Sequence, residues 1–218
     1  MLNQMNSSKP VVIVGGGFGG LSAALALSRY RPRPPVVLLE PRKRFVFLPL
    51  LYELLSGEVN TWEVVPAYSS LLAGSGVSLV HELVESIDFQ TQTIKTISGR
   101  NIDYSQALIS TGSQSNDVDV RGVKKYAFSF RTLEDLFALR MHVSYLKTLK
   151  EKSCSLIIVG AGSSGVELAC KVADLVPKSL QIHLIEKGDR VLPNSKHFNR
   201  EQAQSALDKR KIRLHLKA

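Results

Sequence analysis

One pattern occurs twice in this chain of 218 residues and constrains its fold more than any other feature. It is an apolar strand, a glycine-rich loop, a helix and a second strand that ends in glutamate, beginning once at Val11–Val14 and again at Leu156–Val159. Both loops have the spacing Gly-x-Gly-x-x-Gly, through Gly15, Gly17 and Gly20 and through Gly160, Gly162 and Gly165. A repeated strand–helix–strand unit of this kind predicts parallel sheets of the Rossmann type.

The glycine spacing has a separate physical reason at each position. The first glycine allows the tight turn from strand to helix, the second lets a pyrophosphate approach the backbone, and the third lets the helix pack closely on the strand. The start of the helix then offers unpaired N–H groups and a partial positive charge to phosphate. Glu40 and Glu186 lie about 20 residues beyond each third glycine, where a carboxylate accepts hydrogen bonds from ribose hydroxyls.

Two such loops favour a protein with two dinucleotide cofactors. The alternative for both loops is an ordinary strand–turn–helix unit with a solvated glutamate. We expect FAD in one loop and a nicotinamide nucleotide in the other, with their reactive rings stacked so that a hydride can pass. Glu186 favours NADH over NADPH because a carboxylate would repel a 2′-phosphate, whereas the nearby Lys187 and Arg190 count against that preference.

Composition and charge limit the compartment and the partners. The net charge of +9 predicts a surface that attracts phosphates or an anionic membrane face. The basic clusters are not interleaved with aromatic residues, so no nucleic acid is expected as a partner. Cys154 and Cys170 form no Cys-x-x-Cys pair, which predicts no disulfide framework, no metal site and a reducing compartment. With neither a secretory signal nor a membrane span predicted, we expect a cytoplasmic protein.

The segments between the two repeats complete the predicted fold. We expect a helix over Val64–Ala73, and short strands over Val77–Val84, Thr93–Ile97 and Ala107–Ser110 that suggest a small antiparallel insertion returning to the main sheet. A charged amphipathic helix is predicted over Leu133–Lys150. The fold class is therefore α/β, a Rossmann-like parallel sheet with an antiparallel insertion, followed by an incomplete second Rossmann unit. The predicted domains are residues 1–116 for FAD, 117–151 as crossing segment and long helix, and 152–218 for NADH.

Several stretches of the sequence resemble one flavoprotein family. They are Val12–Leu21, Arg44–Tyr52, Leu108–Ser113, Phe130–Asp135, Gly165–Ala169 and Ile185–Pro193. Together they resemble the type II NADH dehydrogenases, the single-chain NADH:quinone oxidoreductases that do not pump protons. Ser110 departs from the pattern, since alanine is commoner there.

The resemblance implies site residues, which we carry over by position. FAD would contact Gly15, Gly16, Gly17, Gly19, Gly20, Glu40, Lys43, Val84 and Gly112. NADH would contact Gly160, Gly162, Gly165 and Glu186. Pro49 belongs to the family segment that runs under the flavin ring, and Glu167 matches a catalytic glutamate near the meeting point of nicotinamide, flavin and quinone. A small-molecule quinone is the implied substrate.

Two of these assignments have a plainer alternative. Glu167 and Lys171 are four residues apart, so they could form a surface ion pair worth only about 0.2–0.5 kcal/mol. Lys171 stands where the family usually has glutamate, and Cys170 where it commonly has glycine. The segment Pro49–Tyr52 could equally belong to an ordinary apolar core.

The resemblance also implies that the family continues beyond the point reached at Ala218. Members carry the rest of the NADH domain, a second FAD motif and amphipathic helices that hold the membrane. We therefore expect a C-terminally truncated member, either the N-terminal part of a quinone reductase or a non-catalytic fragment that binds FAD or NADH. A homodimer, and peripheral contact with the cytoplasmic face of a membrane through the missing part, are compatible with this interpretation.

Overall fold

The protein separates into two compact units in a computed structural model that describes residues 9–113, 120–148 and 154–218. The first unit comprises the described residues of Met1–Phe47 and Thr61–Lys125. The second comprises those of Leu48–Asn60 and Tyr126–Ala218. Within the described ranges, no helix is both long and apolar enough to cross a membrane.

The secondary structure alternates between strands and helices in both units. Within the described residues the strands are β1 (Val11–Val14), β2 (Val36–Leu39), β3 (Ser78–Val80), β4 (Val84–Asp88), β5 (Thr93–Thr96), β6 (Asn101–Asp103), β7 (Gln106–Ile109), β8 (Ser155–Val159), β9 (Gln181–Glu186) and β10 (Arg213–Leu216). The helices there are α1 (Phe18–Ser28), α2 (Leu51–Ser56), α3 (Thr61–Val64), α4 (Tyr68–Leu71), α5 (Val123–Tyr126), α6 (Leu133–Thr148), α7 (Ser163–Leu175) and α8 (His197–Lys209). A short 3₁₀ turn covers Leu48–Leu50.

The first unit is built on a parallel sheet of four strands in the order β3-β2-β1-β7. The central strands β1 and β2 are buried on both faces, as their β-branched and leucine-rich sequences predict, whereas Leu108 and Ile109 of the edge strand β7 are exposed. On one face Ile13 and Leu38 pack with Leu21 and Ala24 of α1. On the other face lies an antiparallel sheet in the order β4-β5-β6, whose Ile94 joins the second core cluster.

The second unit repeats the opening of the first. Its parallel sheet has the order β10-β9-β8, with β8, β9 and β10 in the places that β1, β2 and β3 occupy in the first unit. Helix α7 buries Val166, Ala169 and Val172, and α8 buries Ala203 and Leu207. The predicted fold class is confirmed, including the antiparallel insertion and the second Rossmann-type unit.

The predicted helix over Val64–Ala73 is wrong. Pro66 separates α3 from α4, because proline has no N–H to continue the helical hydrogen bonds. The chain at 44–47 runs beside this break instead, where Phe45 N–H donates to the Pro66 carbonyl at 2.9 Å and Phe47 N–H donates to the Val64 carbonyl at 2.8 Å.

The predicted strand over Val77–Val84 is two different strands. Its first part is β3, which joins the parallel sheet, and Val84 begins β4 of the antiparallel insertion. The last two residues of the predicted helix Leu133–Lys150 lie outside the described residues, as does part of the predicted crossing segment. The compact units group residues 48–60 with the second half of the chain, and the assignment of 1–116, 117–151 and 152–218 to cofactor domains stays a prediction.

Candidate functional site

The first glycine loop begins where β1 ends, and its outer glycines are fixed by close packing. Gly15 has φ +96°, and its N–H donates to the Leu39 carbonyl at 2.8 Å. A Cβ on Gly15 would lie 2.5 Å from the Ser110 carbonyl oxygen, and a Cβ on Gly20 would collide with the Gly15 carbonyl. These two positions therefore need glycine for the turn and for the approach of α1 to the strand.

The middle glycine of this loop faces open space. Gly17 is the N-cap of α1, with φ −62° and ψ −168°, and no side chain caps the helix. A Cβ on Gly17 would meet nothing within 4 Å. The first turn of α1 contains no acidic residue that would compete for its N–H groups. The loop therefore leaves room for a phosphate at the amino end of an eleven-residue helix.

The second loop has the same construction. Gly160 has φ +97°, and its N–H donates to the Ile185 carbonyl at 2.7 Å. A Cβ on Gly165 would collide with the Gly160 carbonyl, whereas one on Gly162 would meet nothing within 4 Å. Gly162 caps α7 with φ −71° and ψ −178°, again without a side-chain cap. Both predicted phosphate loops are thus open at the second glycine and closed at the third, and the first glycine of each has a positive φ, with close packing around it only in the first loop.

Glu40 lies beneath the first loop and is only 2% exposed. Its Oε2 accepts the Gly16 N–H at 2.8 Å, and its Oε1 accepts the Arg42 backbone N–H at 2.9 Å and Nε at 2.8 Å. Burial raises the pKa of Glu40, but the hydrogen bonds from Arg42 and Gly16 outweigh burial and hold the pKa below its ordinary value. The carboxylate is therefore ionised and tied to the loop.

Glu186 has the same position under the second loop. Its Oε2 accepts the Ala161 N–H and its Oε1 accepts the Gly188 N–H, both at 2.8 Å. These two backbone hydrogen bonds lower the pKa of Glu186. Sequence reasoning assigned both glutamates to ribose and did not predict that each one also holds its loop. The signal was present, since Glu40 directly follows β2 and Glu186 ends β9, and each of these strands pairs with the strand that leads into a glycine loop.

Two further side chains support the first loop, and the sequence analysis assigned neither of them to it. Tyr68 is fully buried, and its hydroxyl donates to the Gly16 carbonyl at 2.7 Å. Ser110 follows β7, and its hydroxyl lies 2.8 Å from the Gly15 carbonyl and 3.0 Å from the Val14 carbonyl. Ser110 could have been noticed from the sequence, because it stands where the family more commonly has alanine. Nothing in the sequence connects Tyr68 with Gly16, which lies 52 residues away.

Comparison with known sequences decides the family. The sequence model of pyridine nucleotide-disulphide oxidoreductases matches residues 9–218. The chain belongs to this family.

Relatives within this pyridine nucleotide-disulphide oxidoreductase family reduce quinones according to their names. Demethylphylloquinone reductase NdbB of Synechocystis is 38% identical over 95% of this chain and 54% of that protein. Alternative NAD(P)H-ubiquinone oxidoreductase C1 of Arabidopsis thaliana, chloroplastic and mitochondrial, is 35% identical over 96% of this chain and 44% of that protein. The resemblance predicted from the sequence is confirmed, and the chain spans about half the length of these curated relatives.

A solved structure agrees with the fold. NDH2 from Plasmodium falciparum, in complex with RYL-552, matches with a TM-score of 0.82 at 22% identity. The match covers 96% of this chain and 48% of that one.

The other predicted FAD residues lie at different places in this family member. Lys43 and Gly112 follow β2 and β7, the neighbours of β1, so both lie beyond the carboxyl edge of the sheet where the glycine loop lies. Gly112 has φ +74° with open space around it, and Lys43 is exposed. Val84 begins β4, and Gly19 lies in the first turn of α1. Pro49 lies exposed in the 3₁₀ turn of the second unit.

Glu167 is exposed on α7, close to Tyr52 of α2. The Tyr52 hydroxyl donates to the Ser164 carbonyl at 3.4 Å. Burial is the main cause of a raised pKa at Tyr52, and Glu167 adds to it through its charge and a side-chain hydrogen bond. Lys171 Nζ lies 2.7 Å from Glu58 Oε1. Lys171, the predicted surface partner of Glu167, therefore forms an ion pair with Glu58.

Both cysteines of this family member are free thiols. Cys154 is exposed, and Cys170 is half-buried on α7. Burial raises the pKa of the Cys170 thiol, which keeps it protonated at neutral pH. Within the described part of the chain, no group of histidine, cysteine, aspartate and glutamate side chains could hold a metal ion.

Proposed function

We propose that the chain binds FAD at its first glycine loop and NADH at its second, and that it belongs to the machinery of an NADH:quinone oxidoreductase. The observation that carries this proposal is the pair of loops, each open at the second glycine and each opening a helix with a free amino end. FAD, when bound, supplies a two-electron carrier between a nicotinamide and a quinone.

The first unit supplies the groups for the FAD diphosphate and ribose. The N–H of Gly17 and the first turn of α1 donate hydrogen bonds to the diphosphate, and the partial positive charge of the helix start stabilises it. Glu40 already accepts four hydrogen bonds, from the backbone N–H groups of Gly16 and Arg42 and from Nε and Nη2 of Arg42. A ribose hydroxyl would therefore bind Glu40 by replacing a hydrogen bond from the exposed Arg42 side chain. Gly112 and Lys43, at the same edge of the sheet, contact the cofactor from neighbouring strand ends.

The second unit selects NADH over NADPH. The carboxylate of Glu186 stays ionised and repels a 2′-phosphate, while it accepts a hydrogen bond from an unmodified ribose. Arg190, which could otherwise attract that phosphate, is paired with Asp189 through Nε–Oδ1 and Nη2–Oδ2 distances of 2.7 Å. The local charge therefore favours the nucleotide without the extra phosphate.

Glu167 is the residue that we assign to the proton chemistry of quinone reduction. It is an exposed carboxylate next to the Tyr52 hydroxyl, so it can exchange protons with solvent and with a bound quinone. Quinone as the substrate class is supported by the names of the two relatives. A net charge of +9 supports peripheral contact with the cytoplasmic face of an anionic membrane, and a homodimer remains part of the proposal.

The second candidate function is nucleotide binding without catalysis. The observation in its favour is that both open loops can hold a nucleotide with backbone N–H groups at a helix start, which requires no reacting side chain. This candidate predicts binding of FAD or NADH without any transfer of electrons to a quinone.

Steady-state oxidation of NADH by the FAD-loaded chain, with a water-soluble quinone as acceptor, separates the two functions. We expect quinone-dependent turnover that falls at least about tenfold in Glu167→Gln, since general acid–base groups contribute roughly 10²–10⁴-fold. Glu201→Gln on α8, also an exposed glutamate, is the matched control and should leave turnover unchanged. Bound FAD with no quinone-dependent oxidation of NADH would favour the binding function instead.

A further inference from the structure

The peptide groups on either side of Gly16 are held by two buried side chains. The Gly16 N–H donates to Glu40 Oε2 at 2.8 Å, and the Gly16 carbonyl accepts the Tyr68 hydroxyl at 2.7 Å. A Cβ on Gly16 would lie 2.8 Å from both Glu40 Cγ and the Tyr68 hydroxyl oxygen. Glycine is therefore required at this position by the two side chains that hold it.

The hydrogen bond to the Gly16 carbonyl sets the direction of the next N–H group. In a planar trans peptide the carbonyl oxygen and the following N–H point to opposite sides. Because Tyr68 fixes the Gly16 carbonyl toward the core, the Gly17 N–H points the other way, out of the core. Gly17 is the position with open space around it, where the phosphate would bind.

The second loop has the same restraint, made by a different group. The Ala161 N–H donates to Glu186 Oε2 at 2.8 Å, and the Ala161 carbonyl accepts the Leu192 backbone N–H at 2.9 Å. The Gly162 N–H is thereby turned outward in the same manner. The two loops thus fix the equivalent carbonyl with different donors, a tyrosine hydroxyl and a backbone N–H, which indicates that its orientation matters for what the loops bind.

We propose that Tyr68 is a positioning residue for FAD, whose hydroxyl aims the Gly17 N–H at the cofactor diphosphate. This inference rests on the proposed binding of FAD to the first loop. The recognised group is the diphosphate of FAD, and the Gly17 N–H that recognises it is held in place before FAD binds. Preorganisation of this kind strengthens binding because the loop does not need to be ordered afterwards.

The surroundings of Tyr68 suit this role. Its ring packs edge-on against Phe45, at a centroid distance of 6.2 Å, within a buried core cluster. Burial, helped by the charge of Glu40, raises the pKa of Tyr68 to about 12. The hydroxyl therefore keeps its proton and remains a donor across the pH range in which nucleotides are bound.

The test compares Tyr68→Phe with Tyr104→Phe in the full chain. Tyr104 is also buried in the first unit, and its hydroxyl donates to the Asp88 carbonyl at 3.2 Å, away from the glycine loop. FAD affinity, measured by quenching of flavin fluorescence, should fall roughly 3- to 10-fold in Tyr68→Phe, the range of one neutral hydrogen bond. Tyr104→Phe should bind FAD like wild type, and NADH affinity should stay the same in both variants.

The outcomes distinguish the inference from the function on which it rests. Equal FAD affinity in wild type and Tyr68→Phe would overturn the role of Tyr68 and leave FAD binding intact. No FAD binding by the wild-type chain would overturn the proposed function, and this inference with it. An equal loss of affinity in Tyr68→Phe and Tyr104→Phe would reduce Tyr68 to a general stabiliser of the unit.

A second variant keeps both the ring and the hydroxyl, in case Tyr68→Phe does not fold. A difluorotyrosine incorporated at position 68 loses its proton at a lower pH than tyrosine does. The charged groups that face this hydroxyl are Glu40 and Arg42, and both keep their charge in the alkaline range. FAD affinity should therefore begin to fall at a lower pH than in wild type, and an unchanged pH profile would overturn the inference.

Discussion

The glycines of the two loops differ in what a methyl group added at each position would meet. A methyl group on Gly15, Gly20 or Gly165 would strike backbone atoms, so these glycines are required by the fold itself. A methyl group on Gly17 or Gly162 would enter open space, so these two are not required by packing. Their conformations, with φ −62° and −71°, are also accessible to alanine. Both positions are helix N-caps, where glycine is modestly preferred over alanine, so a strict requirement for glycine would come from a ligand.

This difference predicts a reciprocal pair of variants. Gly17→Ala should fold with a loss of no more than about 1 kcal/mol, since alanine is a poorer N-cap than glycine. It should bind FAD roughly 10- to 100-fold more weakly, because the methyl group displaces a charge-assisted hydrogen bond to phosphate. Gly162→Ala should do the same to NADH and leave FAD binding unchanged, so each variant is the control for the other. Titration calorimetry with each nucleotide measures both affinities. Wild-type affinity for FAD in Gly17→Ala would contradict the assignment of the first loop.

The acid stability of the chain should depend on Glu186. Its pKa is lowered in the folded state, so the carboxylate stabilises the fold above the pKa of an unfolded glutamate. This contribution is lost as the pH falls through the lower pKa of the folded state. The difference in unfolding free energy between wild type and Glu186→Gln should therefore be largest above the ordinary glutamate pKa of 4.5 and shrink as the pH falls below it.

Urea unfolding at several pH values measures that difference. Glu201→Gln, which changes an exposed glutamate of the same unit, should follow the wild-type pH dependence. A difference between wild type and Glu186→Gln that stays constant with pH would mean that the two backbone hydrogen bonds do not depend on the charge.

Sequence reasoning at the residue scale identified every glycine of both loops and both glutamates, because their spacing is local and has a steric cause. It missed the support from Tyr68 and Ser110, because each reaches the loop from a distant part of the chain. It also described Glu40 and Glu186 only as ligands for ribose. Their hydrogen bonds to the loops depend on how the glutamate-ended strand lies beside the loop, which spacing alone does not give.

Among the elements, equivalent strands of the two units differ in how they are covered. Val14 ends β1 and is 6% exposed, because the antiparallel insertion places Ile94 and Tyr104 over this face. Val159 ends β8 at the equivalent position and is 77% exposed. The same residue type in the same place of the repeat therefore has two environments.

This contrast predicts unequal costs for the same substitution. Val14→Ala should lower the free energy of unfolding by about 2 kcal/mol, since it removes buried methyl groups and leaves a cavity. Val159→Ala should cost less than about 1 kcal/mol, the range of strand propensity at an exposed site. Urea unfolding of both variants makes the comparison, and equal losses would show that the face bearing Val159 is covered in solution.

The elements that were predicted correctly share a strong local signal. Strands β1 and β2 are apolar runs bounded by glycine or proline, and their bounds follow from that punctuation. The helix over Val64–Ala73 was wrong because its apolar spacing was given more weight than Pro66. The division of Val77–Val84 between two sheets depends on pairing with β2 and β5, which are distant in sequence.

At the scale of the whole molecule, the two units repeat one arrangement of strand, glycine loop, helix and strand. The repeat and the Rossmann-type class could be predicted from the doubled loop, and the family from the resemblance of six stretches of the sequence. The grouping of residues 48–60 with the second unit could not be predicted, since it depends on packing between α2 and helices far along the chain. The assignment of the two loops to FAD and NADH is the claim that experiment must decide.

The most direct test is an anaerobic titration of the FAD-loaded chain with NADH, followed through the visible absorbance of the flavin. The account predicts a yellow protein whose flavin band bleaches in proportion to the NADH added, with a much weaker response to NADPH. A chain that retains no flavin, or one whose bound flavin keeps its absorbance in excess NADH, would contradict it.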